Sequence, residues 1–399
     1  MNALHEQAIK ALHQGEFDKV KNIVLKNIPR QVGGVQPEAL ALGQLILIDS
    51  YIAQAKHDDA REALERLLIS PILQDNQELK SKAFKVLHYY ISWLHPKIVD
   101  IIPWTTIAPF NYMNASLLLV DNKKLISFIR ATNYEKPSRQ EKRHDPWNRI
   151  VSRCFVHHYD PYFRTLFHKE MQDLSIFPRN ISPVVGYEDP RIVYYKNELY
   201  FTATSFETQR VSKASIVLCK VNEEWDIVST IPLHCQDPNQ MQKNWLPFVD
   251  KDRLLVVYKM SPFIINEINP ITGEFTEIVN IPLPNVHFPT LRGSTSPVAY
   301  KNGYLFCVHF VNYAHPDEDA YYTKFVWLDA SLCPQKISGT FLLEHIGLEY
   351  ISGLAIWDTS VYIAYNLHDT TSRLARITVD VLNEKIPWYE ITTGKLSQL

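Results

Sequence analysis

The chain has 399 residues, 46% hydrophobic and 21% charged, with a formal net charge of −2. This describes a globular protein of two or three domains and excludes disordered or fibrous classes. There is no basic block to act as the electrostatic footprint of a nucleic-acid binder. No uncharged apolar run approaches a membrane span, and Met1–Lys10 lacks the basic-then-apolar pattern of a signal peptide.

Residues 1–95 read as helices, because Gly and Pro are sparse and apolar residues recur at spacings of three and four. Ala8, Ala11 and Leu12 precede the polar turn Gly15–Val20, and Ile23, Val24 and Ile28 follow it. A second unit repeats the scheme: Leu45, Ile48, Tyr51 and Ile52, then Lys56–Ala60, then Leu64, Leu67 and Leu68. The turns lie about forty residues apart, within the range of helical-hairpin repeats. Ala39–Ala55 is expected to be amphipathic, and Glu78–Trp93 to form a capping helix. Such a domain would offer a protein-binding or self-association surface, or serve as a structural cap.

His95-Pro96 ends the helices, and residues 96–109, with Pro103 and Trp104, read as a linker. From residue 110 the period changes to strict alternation. Hairpins are predicted at Leu117–Ile129, Ile192–Thr204, Phe248–Tyr258, Val298–His309 and Leu354–Tyr365. Their turns are Asp121-Asn122, Lys196-Asn197, Asp250–Asp252, Lys301–Gly303 and Asp358–Ser360. Further strands fit Ser215–Val221, Ile264–Asn269, Phe325–Asp329 and Leu374–Val379. Many short strands with regular turns imply an all-β fold. Five similar hairpins imply a five-bladed β-propeller over 110–399, with a β-sandwich as the alternative.

Cys154, Cys219, Cys235, Cys307 and Cys333 form no CxxC pair, so reduced thiols and a cytoplasmic setting are expected. Ala131–Gly186 is a long insertion after the first hairpin, of the kind that forms lids or binding loops. Its pair His157-His158 would point to opposite faces of a strand. Neither a metal ion nor a cofactor is expected.

Polar groups recur at equivalent points of the five hairpins. Asn114 and Ser116 precede the first and Arg130 ends it; Gly186-Tyr-Glu188-Asp189-Pro-Arg191 precedes the second. Lys243-Asn244-Trp245 precedes the third, Arg292–Pro297 precedes the fourth, and His309 ends that hairpin. Ser352-Gly353 precedes the fifth, which ends near Asp369. In a propeller these points converge on one axial pocket. In the Glu188-Asp189 pair one carboxylate raises the other's pKa while Arg191 lowers it, which suits a general acid beside a substrate clamp.

With these motifs, residues 110–380 resemble the five-bladed mannoside phosphorylases of glycoside hydrolase family 130 and the related β-1,2-mannosyltransferases of glycosyltransferase family 108. The N-terminus loosely resembles tetratricopeptide repeats. The resemblance implies that Asp189 is the general acid. It implies that Asn114, Arg130, Arg191 and Asp369 hold the mannosyl unit, with Ser116, Glu188 and Asn244 beside them as substrate-binding residues. Lys243, His309 and Arg210 match phosphate ligands. The implied partners are a mannoside or other glycan acceptor and phosphate, mannose 1-phosphate or GDP-mannose. A phosphorylase needs cations for its anionic nucleophile and no base carboxylate, and the imidazole of His309 would add charge at low pH. The rival readings are a non-catalytic glycan- or protein-binding scaffold and an inverting hydrolase using Asp369 or Glu188 as base.

Overall fold

The architecture is that of a computed structural model. It describes residues 3–27, 37–54, 56, 59–60, 63–64, 67, 82–83, 92–94, 96–100, 110–121, 124–135, 142–208, 213–234, 241–283, 291–312 and 319–391. Most of these residues lie in antiparallel sheets of four or more strands, of which there are five, plus a two-stranded ribbon, Tyr134–Glu135 with Lys142–Arg143.

The first sheet runs Asn111–Val120, Lys124–Thr132, Ile150–Tyr159 and Thr165–Glu170, with Val184–Val185 added alongside Ile150–Tyr159. The second is Glu188–Tyr195, Glu198–Ser205, Ser215–Val221 and Ile227–Pro232. The third is Leu246–Asp250, Arg253–Met260, Phe263–Ile268 and Phe275–Ile281. The fourth is built on Gly303–Asn312, Ala320–Leu328 and Pro334–Ser338, and the fifth on Glu349–Trp357, Ser360–Leu367 and Thr371–Thr378.

The hairpins form where the turn chemistry requires them. Lys196-Asn197 and Lys251-Asp252 both have positive φ, joining Tyr195 to Glu198 and Asp250 to Arg253 through two-residue loops whose twist matches the strands.

Apolar seams join each sheet to the next. Phe128, Val156, Tyr187 and Phe201 lie between the first and second. Tyr195, Leu218, Trp245 and Val256 join the second and third. Phe248, Val257, Phe306 and Tyr322 join the third and fourth. Phe325, Phe341, Leu354 and Tyr365 join the fourth and fifth. Ala115, Leu117 and Phe155 meet Ala355, Tyr362 and Ala364 across the seam of the first and fifth. The sheets therefore close into a propeller-like ring, a radial arrangement that leaves only the short outer strands as edges.

Two expectations change here. Lys97–Asp100, read as linker, is the outermost strand of the fifth sheet, pairing with Arg373–Arg376. Ser92–Trp93, read as the end of a helix, pairs with Phe341–Leu342 in the fourth sheet. Both runs are too short to show alternation, and their partners lie far off in sequence. Residues 101–109 lie outside the described residues.

At the N-terminus, α1 (Ala3–His13) and α2 (Phe17–Asn22) pack with α3 (Pro37–Ala53). α3 is not amphipathic. Ile46 and Leu47 face α1 and α2, while Ala41, Leu45 and Ile48 join the third–fourth seam. A helix sandwiched between two apolar surfaces is apolar all round. Of the second repeat unit, residues 45–54, 56, 59–60, 63–64 and 67 are described, with Ala60, Leu64 and Leu67 joining the third–fourth seam. Most of Glu78–Trp93 lies outside the described residues. No described helix is long and apolar enough to cross a membrane.

Ring closure needs close backbone approach at the axis. A Cβ at Gly353 would stand 2.6 Å from the Ala115 carbonyl oxygen and 2.9 Å from both Ala364 Cβ and Leu117 Cγ. Gly353→Ala is expected to cost about 1–3 kcal/mol by overpacking, read as a lowered unfolding midpoint in denaturant. An unchanged midpoint would show that the seam can give.

Candidate active site

The strands lining the axis are irregular where they begin, and this irregularity aims the side chains inward. Register breaks fall between Met113 and Ser116, between Glu188 and Arg191, and between Ile351 and Gly353. A bulge turns a side chain out of the pleat at such a point. Asn114 and Asp189 both have φ of 53°, and Asn244, just before the third sheet, has φ of 62°. Asn and Asp are the non-glycine residues that best tolerate this left-handed region.

Asp189 sits at the centre with its side chain 19% exposed. Its Oδ1 accepts from Asn114 Nδ2 at 2.6 Å and from Arg130 Nη1 at 3.3 Å. Arg130, buried, also donates to Glu188 Oε1 at 2.6 Å and, through Nε, to Ser152 Oγ at 2.9 Å. Lys243 Nζ reaches Glu188 Oε2 at 3.2 Å and lies over the Phe206 ring. Both oxygens of Glu188 are thus held by cations. Burial pushes the Asp189 carboxyl up, but Arg130, Arg191, the Asn114 amide and Lys243 outweigh it and hold the group below the usual carboxylate range.

Arg191 ties the remaining sheets to this centre. Its Nη1 donates to the Asp189 carbonyl oxygen at 3.0 Å and its Nε to the Ser294 carbonyl oxygen at 3.1 Å. Its Nη2 donates to Asn244 Oδ1 at 3.2 Å and to the Tyr350 hydroxyl at 2.8 Å. Ser294 Oγ lies 2.8 Å from His309 Nδ1, and the His309 ring stacks on Tyr321 and meets Tyr350 edge-on. Burial, then Arg292 and Arg191, push the His309 imidazole down to about 3. It is neutral at physiological pH and offers a hydrogen bond rather than a charge, contrary to the expectation from sequence.

Beside the axis is a cavity of about 420 Å³ lined by Lys243, Asn244, Lys259 and Arg292 over apolar Leu246, Val257 and Leu291. A larger one, about 1220 Å³, lies against the outer strands of the second and third sheets, away from this convergence.

The chain shares its fold with mannoside phosphorylases. A beta-1,2-mannobiose phosphorylase from Listeria innocua, in complex with beta-1,2-mannobiose, aligns with a TM-score of 0.50 at 12% identity, over 72% of this chain and 96% of its own. A GDP-Man-dependent mannosyltransferase from Leishmania mexicana aligns at 0.47 and 12%, over 74% and 93%. A mannose phosphorylase from the same organism, in complex with phosphate ion, aligns at 0.46 and 11%, over 80% and 99%. At such identities the likeness is one of fold. No family model and no curated protein matches the chain.

Of the residues singled out from sequence, Asn114, Arg130, Glu188, Asp189, Arg191, Lys243, Asn244 and His309 belong to one connected cluster. Asp369, on the turn after Ser360–Leu367, accepts from Asn366 at 3.1 Å, and its charge acts on Arg130, Tyr134 and Tyr350. Ser116 does not join the cluster through a hydrogen bond. Its hydroxyl faces the Phe128 carbonyl oxygen at 3.4 Å, within its own sheet. Arg210 lies outside the described residues. His157 faces Tyr159 while His158 faces Trp225, on opposite faces of their strand.

Sequence reasoning missed Tyr350, Ser294 and Ser152. Tyr350 stands two residues before Ser352, just ahead of the bulge in the fifth sheet, so hairpin equivalence could have found it. Ser152 carries no such signal.

Buried histidines should make the fold sensitive to acid above the carboxylate range. His157 and His158 are pushed down to about 4 by burial, and His309 to about 3, while burial pushes Glu349 up to about 7. Between about pH 6.5 and 4.5 the unfolded chain binds the three histidine protons that the fold refuses, and lacks the one that Glu349 keeps. Stability should therefore fall on acidification with a net slope of about two protons. A thermal-midpoint series across this window checks it, and His157→Leu should flatten the slope. A rise in midpoint on acidification would contradict the assignment.

Proposed function

We propose that the chain is an inverting carbohydrate-active enzyme that moves a mannosyl or similar unit between a β-mannoside and phosphate or a phosphorylated donor. In this reading the five large sheets are the five blades of a propeller built on residues 110–399, with Ser92–Trp93 and Lys97–Asp100 added to its fourth and fifth blades. The residues before Ser92 form a small helical-repeat domain acting as a structural cap, since α3 is buried against a seam. The observation that carries the reading is the convergence of one partly exposed carboxylate, Asp189, with Asn114, Arg130, Arg191 and Lys243 at the ring axis.

Asp189 would be the acid. Arg130, Arg191 and Lys243 hold it ionised, so an anion arriving among them offsets their charge and moves the carboxyl toward protonation. Its proton then goes to the leaving glycosidic oxygen as the C1–O bond breaks. A phosphate oxygen forms the new bond to C1 from the opposite face, and the configuration inverts. Lys243, with its side chain 39% exposed, supplies the point charge for that phosphate. In the tautomer where Nδ1 accepts from the Ser294 hydroxyl, His309 presents Nε2–H as a neutral donor. Asn114 Oδ1 is buried without a protein partner among the described residues, an acceptor suited to a sugar hydroxyl. Glu188, with both oxygens in ion pairs, is poorly placed to be the base of a hydrolase.

The test is incubation with α-mannose 1-phosphate or GDP-mannose and a panel of acceptors, reading released phosphate or GDP. Asp189→Asn should lower kcat by about a hundredfold to ten-thousandfold with ligand affinity kept. Lys243→Ala should weaken phosphate or donor binding by about tenfold to a hundredfold. His309→Ala should weaken it equally at pH 6 and pH 8, because the imidazole is neutral at both. Full turnover by Asp189→Asn would overturn the assignment of Asp189 as the acid and leave it a binding residue.

A further inference from the structure

One strand of the first sheet, Ile150–Tyr159, is flanked by two copies of the same turn. Asp145-Pro-Trp147-Asn-Arg149 precedes it and Asp160-Pro-Tyr162-Phe-Arg164 follows it. In each, the aspartate side chain accepts the backbone N–H of the aromatic residue, at 2.8 Å for Trp147 and 2.9 Å for Tyr162. In each, the fourth residue has positive φ and the arginine guanidinium lies over the ring, 4.7 Å from the Trp147 centroid and 5.9 Å from that of Tyr162. The turn chemistry accounts for the aspartates and arginines. It does not account for the exposed rings, Trp147 at 73% and Tyr162 at 68%, and it is position that separates the two.

The two turns differ in where they stand. The Tyr162 turn is at the far end of the strand, where Tyr362 and Arg376 of the fifth sheet donate to the Pro161 carbonyl oxygen. The Trp147 turn is at the axial-site end. Ser152, which accepts from Arg130, is five residues from Trp147, so the two lie at most about 17 Å apart along the chain. The turn is stiffened from several sides. Arg149 donates to Asp145, Arg143 donates to the Asn148 carbonyl oxygen, and His144 donates its backbone N–H to the Asn133 carbonyl oxygen. A fixed indole loses little entropy on binding.

We propose that the Trp147–Arg149 stack on the rim of the axial site is a platform for a pyranose ring of the glycan acceptor, beyond the sugar that reacts. This rests on the glycosyl-transfer reading of the axial site. Arg149 backs one face of the indole, the other face is available to the C–H face of a sugar, and the guanidinium edge can donate to its hydroxyls. A rigid platform at this distance grips a chain of several units and leaves the shortest acceptors untouched.

The built-in control is the second turn. Binding of β-mannosyl oligosaccharides of two, three and four units is measured by calorimetry on the full chain and on Trp147→Ala, Trp147→Phe and Tyr162→Ala. In the unaltered protein affinity should rise with length. Trp147→Ala should weaken the longest glycan by about three- to tenfold and leave the two-unit glycan unchanged. Trp147→Phe should restore most of the loss, and Tyr162→Ala should behave as the unaltered protein. Equal binding of the longest glycan by Trp147→Ala, or an equal loss in Tyr162→Ala, overturns the platform while the axial reading stands. Absence of binding to every oligosaccharide by the unaltered protein overturns the axial reading and the platform with it.

Discussion

A buried guanidinium needs acceptors for its donors, and four of the N–H groups of Arg191 find them in or beside four different sheets. It is bonded to Asp189 on its own sheet, to Asn244 before the third, to Ser294 beside the fourth and to Tyr350 on the fifth. The first sheet enters through Asn114 and Arg130, both on Asp189. An unpaired charge at this depth costs several kcal/mol, about 3–5 when a buried partner is lost. The ring must therefore close in one register for the axis to be satisfied at all. The polar centre and the apolar seams specify the same geometry from two directions, the seams by area and the centre by direction.

That arrangement also explains why the axis is chemically poised. Bulges and left-handed residues are usually liabilities in a strand, yet they occur at the start of the axial strands, where each turns a side chain toward the ring centre. The outcome is a carboxylate held ionised by cations that an anionic ligand would partly neutralise. In the proposed reading, protonation of Asp189 is thus linked to occupancy of the neighbouring cationic ground. Lys243 is bound to Glu188 by a single contact and is the most exposed of these cations, so it is the one free to turn toward a ligand.

Much of this was legible in the sequence, and the limits have physical causes. Turns such as Lys196-Asn197 dictate their hairpins locally, so the strands around them were readable. The polar residues at hairpin starts were readable because equivalent positions recur. Lys97–Asp100 was not readable as a strand, since four residues carry no period and the partner strand lies at the other end of the chain. α3 misled because burial on both sides erases the polar face that periodicity looks for. The charge state of His309 could not be read at all. It follows from burial and from two arginines that only the fold brings near.

Central to this reading is a single displacement at C1 that moves a glycosyl unit between a β-mannoside and phosphate or a phosphorylated donor. The most direct measurement is proton nuclear magnetic resonance of the first products formed from a β-linked mannoside with inorganic phosphate and, in parallel, from an acceptor with α-mannose 1-phosphate or GDP-mannose. The expected result is the anomeric signal of α-mannose 1-phosphate in the first mixture or that of a new β-mannoside in the second, in either case with inversion. Free mannose formed without phosphate or donor, or a product that retains the configuration of its donor, would contradict it.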